Sequence, residues 1–252
     1  MHDSRSQREV VVFDNRGVGA SVAPGGPYTM AELVEDARAV AEEALGAGGE
    51  GAAGGECTRI DVLGISLGGM VAQALALAHP NLVNALVLGC STHGGKEAAP
   101  PSPGFMQTCS EWAATEGDPN ACGGSVEAFV HHMLPPFAVE GTEGERFLGQ
   151  FKEAFLRTKR SGVGLRGQLA AMGRFNTTGQ LGSIACPTLI VHGDKDAVMP
   201  PSNSESLAAR IPGALLEPWQ GAGHFFWATR PLELSQVVSR FLQSADGARP
   251  AL

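Results

Sequence analysis

The chain has 252 residues, of which 43% are hydrophobic and 17% charged, with a formal net charge of −8. That length supports one sizeable core, and the balance excludes a disordered polymer. The acidic charge, with no run of Lys or Arg, excludes nucleic acid as the main partner, because phosphate-backbone binding needs clustered cations.

The first nine residues are polar and charged, unlike a signal peptide. Residues 10–13, Val-Val-Val-Phe, are β-branched and apolar and close on Asp14-Asn15-Arg16-Gly17, which reads as a buried strand entering a loop. Thr29 and Glu32 form a capping box. Apolar residues from Met30 to Leu45 then recur at helical spacing. A Gly/Ala-rich loop spans residues 46–55.

Residues 60–65 read as a second strand, followed at once by a helix over 67–79 that Pro80 stops. The long apolar stretch they form carries two glycines after a Ser, and Gln73. It is therefore a strand, a turn and a buried helix rather than a membrane span. Further strands are expected at 85–88, 187–192 and 214–218, with helices at 201–210 and, opened by Pro231, at 232–242. Strands alternating with helices imply parallel β-α-β units. From 93 to 181 the alternation lapses into helical segments flanked by Pro- and Gly-rich stretches. The expected organisation is an α/β parallel-sheet core over 1–92 and 182–252, with about five strands, and a mostly helical cap over 93–181.

Gly64-Ile65-Ser66-Leu67-Gly68-Gly69 falls where a strand turns directly into a helix. A serine there is held on a strained turn with its hydroxyl raised above the sheet, and the glycines two before and two after it are read as making room. The helix N-terminus favours negative charge on a bound intermediate. A nucleophilic serine needs a base, and the base an orienting carboxylate. His192-Gly193-Asp194-Lys195-Asp196 and Gly223-His224 follow the next suitable strands, and loops after parallel strands open on one side of the sheet. The exit after residues 85–88, Gly89-Cys90-Ser91-Thr92, carries no carboxylate.

These pieces, together with Phe13-Asp14-Asn15-Arg16-Gly17-Val18-Gly19-Ala20-Ser21, resemble the α/β-hydrolase superfamily in its serine esterase and lactonase branch. The resemblance implies a catalytic triad of Ser66, Asp196 and His224, with Asp194 as the alternative acid and His192 structural. It implies hydrolysis of a carboxylic ester or lactone of a small, largely apolar molecule, with no cofactor and no metal. Acyl transfer and carbon–carbon bond hydrolysis use the same triad, and an impaired, non-catalytic relative is the contrasting alternative. Phe105, Met133, Phe137 and Phe155 are the candidate substrate contacts in the cap. The pair His131-His132 reads as surface or substrate lining.

One departure stands out. The superfamily places a further strand, ending in an oxyanion loop, ahead of the Asp-Asn-Arg-Gly loop, and nine residues before Val10 are too few for it. The remaining oxyanion donor is then the backbone N–H of Leu67, and losing its companion costs about 10²–10³ in rate. Two readings stay open. Residues 10–13 pair directly beside 60–65, bringing Asn15 or Arg16 toward the empty position, or the chain is a shortened version of a longer enzyme.

The five cysteines, Cys57, Cys90, Cys109, Cys122 and Cys186, lack C-x-x-C or zinc spacing and read as reduced, mostly buried thiols. Only export would pair Cys109 with Cys122. A cytoplasmic location, a small-molecule partner and no membrane partner are expected. Oligomeric state is not legible.

Overall fold

The computed structural model describes residues 8–22, 24–46, 59–114, 125–135, 141–157 and 162–247. Helix α1 (Met30–Ala44) starts at Thr29, whose hydroxyl accepts from the Glu32 N–H while the Glu32 carboxylate accepts from the Thr29 N–H. The capping box thus forms where the sequence places it. Strand β1 (Ile60–Ile65) runs into α2 (Leu67–Ala78), and β2 (Val83–Gly89) follows. Four helices then intervene before the next strand: α3 (Pro103–Ala114), α4 (Ser125–Met133), α5 (Gly141–Arg157) and α6 (Gly162–Arg174). The chain closes with β3 (Thr188–Gly193), α7 (Ser202–Arg210), β4 (Leu215–Trp219), the short α8 (Phe226–Thr229) and α9 (Pro231–Gly247). Among the described residues no helix is long and apolar enough to cross a membrane.

The strands form one parallel sheet in the order β1-β2-β3-β4. Alternation along β2 shows the layering. Leu86 and Leu88 join Leu33, Val71, Leu75, Ile190 and Leu207 on one face, so α1, α2 and α7 cover that side. Ala85 and Val87 join Leu189, Val191, Trp219, Phe226 and Phe241 on the other, under α8 and α9. The strand ends are nearly level: Ile65 pairs with Gly89, Gly89 with Val191 and Gly193 with Trp219. The residues following each strand therefore lie in a row along one rim.

The sheet has four strands among the described residues, not five. Residues 10–13 pair with no strand among the described residues, and Val10 and Val12 are 79% and 86% exposed. The chain is anchored on either side of this run. Arg8 binds Asp61 of β1 and Asp246 of α9, and Gly17 packs so tightly on Gly164 of α6 that a Cβ would overlap it. Strand propensity expresses fit to a half-buried pleated surface, and no such surface covers this run. The proposed pairing beside residues 60–65 is therefore absent, and Leu63 of β1 stays about half exposed.

The span between β2 and β3 is stitched at its base. The Thr177 N–H donates to the His93 carbonyl at 2.9 Å, the Gly95 N–H to the Phe175 carbonyl at 3.0 Å, and Gly94 bridges Asn176. Gln73, fully buried, donates to the carbonyls of Gly69 and Thr92 and accepts from the Thr177 hydroxyl. A single amide thereby joins α2, the exit of β2 and the foot of the helical span, and its polar atoms are satisfied.

Candidate active site

Ser66 stands between β1 and α2 with φ 55° and ψ −117°, left-handed backbone that a serine adopts only under constraint. The constraint is local. A Cβ on Gly64 would overlap the Gly68 carbonyl, and one on Gly69 would strike the Ser91 side chain. Gly68 itself faces open space. The steric requirement thus falls on Gly64 and Gly69, and Gly68 contributes the backbone that Gly64 abuts. The Ser66 N–H donates to the Gly89 carbonyl at 2.8 Å, and the Ser91 hydroxyl donates to the Ser66 carbonyl at 2.9 Å. Leu67 offers the first N–H of α2, which has no acceptor among the described residues.

Asp196 and His224 come from the loops after β3 and β4. His224 Nδ1 lies 2.7 Å from Asp196 Oδ2, with both residues buried. An ionised carboxylate only accepts, so Nδ1 carries the proton and Nε2 presents a lone pair. Asp196 Oδ1 accepts from the N–H groups of Val198 and Met199, each at 2.8 Å. His192 Nε2 is 3.1 Å from Asp196 Oδ2 and donates to the Met199 carbonyl at 2.9 Å. Both imidazoles therefore contact the carboxylate, His224 at the shorter distance. Burial pushes the Asp196 carboxyl up, and the N–H groups of His192 and His224 outweigh it, holding the pKa down to about 2. Asp194, the alternative acid, turns away: Oδ1 accepts from the Gly221 N–H at 2.6 Å and shapes the loop ahead of His224.

The link between the dyad and Ser66 runs through Cys90. This residue also has a left-handed backbone, φ 36°, and is fully buried. Its Sγ lies 3.9 Å from His224 Nε2 and donates to the His224 carbonyl at 3.5 Å, and it is approached by the Ser66 backbone N–H. Burial, then the Asp196 charge, push the thiol well above its ordinary pKa, so it stays protonated. Ser66 and His224 thus flank one residue, without a closed hydrogen bond between their side chains among the described residues. Such bonds are often open before substrate arrives. Cys90 carries no site role in the sequence reading, although its place just after the strand beside the elbow is a usable signal. Cys90, Asp196 and His224 do cluster within 4.8 Å, but Asp196 already bonds to the imidazole, which describes a dyad better than a metal cradle.

Above the rim lies a cavity of about 1080 Å³ between the sheet and helices α3–α6, reached by Ser66 and Leu67. Phe105 and Met133, both expected as substrate contacts, line it. Phe137 lies outside the described residues, as does the Phe155 side chain on α5. Leu165 and Leu169 of α6, and Phe225 and Trp227 beyond His224, line the cavity without having been singled out; the last two follow His224 so closely that their position is the signal.

In the loop expected near the oxyanion position, the Arg16 side chain and the Gly17 and Val18 N–H groups are engaged elsewhere. The Arg16 guanidinium is held by Asp36 and Glu32 of α1, the Gly17 N–H by the Val22 carbonyl and the Val18 N–H by the Asn15 carbonyl. The suggested approach of Arg16 is therefore not found, because two carboxylates on α1 claim its charge.

Residues 2–231 match the family described as alpha/beta hydrolase fold. The chain is 32% identical over 255 residues to polyketide synthase ThaQ of Burkholderia thailandensis, an alignment covering 97% of this chain and 11% of that much longer protein. It is 29% identical to the 2-hydroxymuconate semialdehyde hydrolase of Pseudomonas putida, covering 96% of this chain and 80% of the relative. Among solved structures it superposes on a hydrolase from Pseudomonas aeruginosa PA01 with TM-score 0.72 and 32% identity, over 91% of this chain and 77% of that one. With the elbow, the row of strand exits and this match over nearly its whole length, the chain belongs to the alpha/beta hydrolase fold family.

Proposed function

We propose that this chain is a serine hydrolase cleaving a carboxylic ester or lactone, with Ser66 as nucleophile, His224 as base and Asp196 as its orienting acid. The observation that carries this reading is the buried 2.7 Å contact between Asp196 and His224, set beside a serine on a strained elbow. Ser66 Oγ attacks the substrate carbonyl and passes its proton to His224 Nε2. The oxyanion of the tetrahedral intermediate takes the free Leu67 N–H. Collapse expels the alcohol, which receives the proton from His224, and water repeats the sequence on the acyl-enzyme. Asp196 keeps the imidazole in the tautomer that leaves Nε2 basic. Helices α3–α6 act as a cap over the reacting centre. No metal or cofactor takes part in these steps.

A fluorophosphonate probe tests the reading. Labelling of the folded protein that disappears in Ser66→Ala, with turnover of an activated short-chain ester lost in Ser66→Ala and His224→Ala, supports it. Folded protein that stays unlabelled and inert favours a non-catalytic relative. Partition of the acyl group to added alcohols or thiols would instead reveal acyl transfer.

A further inference from the structure

We infer that the group seated in the cavity is a neutral, apolar acyl chain of on the order of ten carbons or more, with the leaving alcohol on the opposite side of Ser66. This deepens the serine-hydrolase reading and rests on it. The space is at the upper end of what small-molecule pockets offer and exceeds what a short-chain ester fills. A heavy atom with its hydrogens fills roughly the 30 Å³ of a water, so 1080 Å³ admits about twenty to thirty such atoms with slack.

The chemistry of the wall points the same way. Five of the chain's seven methionines line it: Met70, Met106, Met133, Met172 and Met199. Thioether side chains bend to follow a flexible ligand, and the seven aromatic residues that share the wall supply apolar area along it. Among the described lining residues Lys96 and Glu97 alone are charged; both are exposed, and Glu97 is paired with Arg210 at 2.6 Å. No buried cation waits for a carboxylate among the described lining residues, so an acid-bearing substrate would be desolvated without a partner.

The side of the scissile bond follows from which residues reach the cavity. Ser66 lines it, whereas His224, 3% exposed, does not. The leaving alcohol must take its proton from His224 Nε2, so it departs on the imidazole side, and the acyl portion is what extends under the cap.

The test is a series of p-nitrophenyl esters from acetate to decanoate, with the monoester of decanedioic acid as the carboxylate-bearing counterpart. The expected result is a rise in kcat/KM of about 100-fold from acetate to decanoate, less than full burial of each methylene allows. The dioic monoester should be at least about tenfold poorer than decanoate. The decanoate-to-acetate ratio should fall in Met172→Trp, which occupies the cavity. A flat or falling series, a dioic monoester as good as decanoate, or decyl acetate preferred over ethyl decanoate overturns the inference. Ser66-dependent acetate turnover with a flat series sinks the chain-length inference alone, whereas turnover that survives Ser66→Ala sinks the serine reading itself. If no ester is turned over, calorimetry decides: decan-2-one binding more tightly than decanoate, and weakened in Met172→Trp, supports the inference. Failure of both ligands to bind overturns it.

Discussion

Gly193 lies directly against the carbonyl of Ala222, so close that any Cβ at 193 would overlap it. The two loops that carry Asp196 and His224 meet at this contact, and the Lys195 N–H donates to the same Ala222 carbonyl at 2.9 Å. Gly193→Ala must push the loops apart. The expected outcome is a loss of about 1–3 kcal/mol in urea unfolding, accompanied by a fall in kcat larger than any change in KM, because the dyad is stretched while the cavity is untouched.

The glycines of the elbow are not equivalent. Gly64→Ala places a methyl into the Gly68 backbone, whereas a methyl at Gly68 meets nothing within 4 Å. Gly68 lies inside α2, where Ala is favoured over Gly by roughly 0.5–1 kcal/mol. Thermal unfolding of both variants should show Gly68→Ala level with or above the parent protein and Gly64→Ala well below it.

The pH dependence follows from Asp196. Its pKa is lowered from 3.8 to about 2 in the folded chain, so the folded state holds its proton less readily than the unfolded one. The associated stabilisation, on the order of 2 kcal/mol, is fully present above about pH 4 and is lost as pH falls through about 2. Denaturant unfolding from pH 5 downward should show this loss in the parent protein. Asp196→Asn should lack it, with kcat reduced about 10³–10⁴-fold near neutrality.

Thiol chemistry separates Cys90 from a nucleophile. Burial raises the Cys90 thiol well above its ordinary range and the Cys109 thiol to about 11. Iodoacetamide at pH 8, read site by site by mass spectrometry, should leave both unmodified in the folded protein and alkylate both in urea. Fluorophosphonate labelling of Ser66 should persist in Cys90→Ala.

Most of the frame is legible in the sequence because its signals are local. The capping box at Thr29, the strand-to-helix junction at Ser66 and Pro231 at a helix start are each set by neighbours within four residues. The shared rim of the strand exits follows from the strands being parallel. Residues 10–13 show the limit: three consecutive valines carry the pattern of a buried strand, but pairing depends on a partner edge that no local pattern encodes. Asn203 shows another. It is buried and joins the Ala99 backbone to the Thr92 hydroxyl across more than a hundred positions of chain. The role of Cys90 beside His224 is equally remote, since 134 residues separate them. Of the cavity wall, Phe105 and Met133 are legible in the sequence, but α6 contributes Leu165 and Leu169 through packing alone.

The stitching of His93–Gly95 to Phe175–Thr177 has a consequence for how the molecule tolerates change. Both ends of a span some eighty residues long emerge from the sheet side by side, so the strands experience it as a short, closed turn whatever its internal length. Loop-closure entropy grows only slowly with added residues. Substitutions and insertions beyond this seam can therefore remodel what the enzyme accepts while the rim carrying Ser66, Asp196 and His224 keeps its spacing.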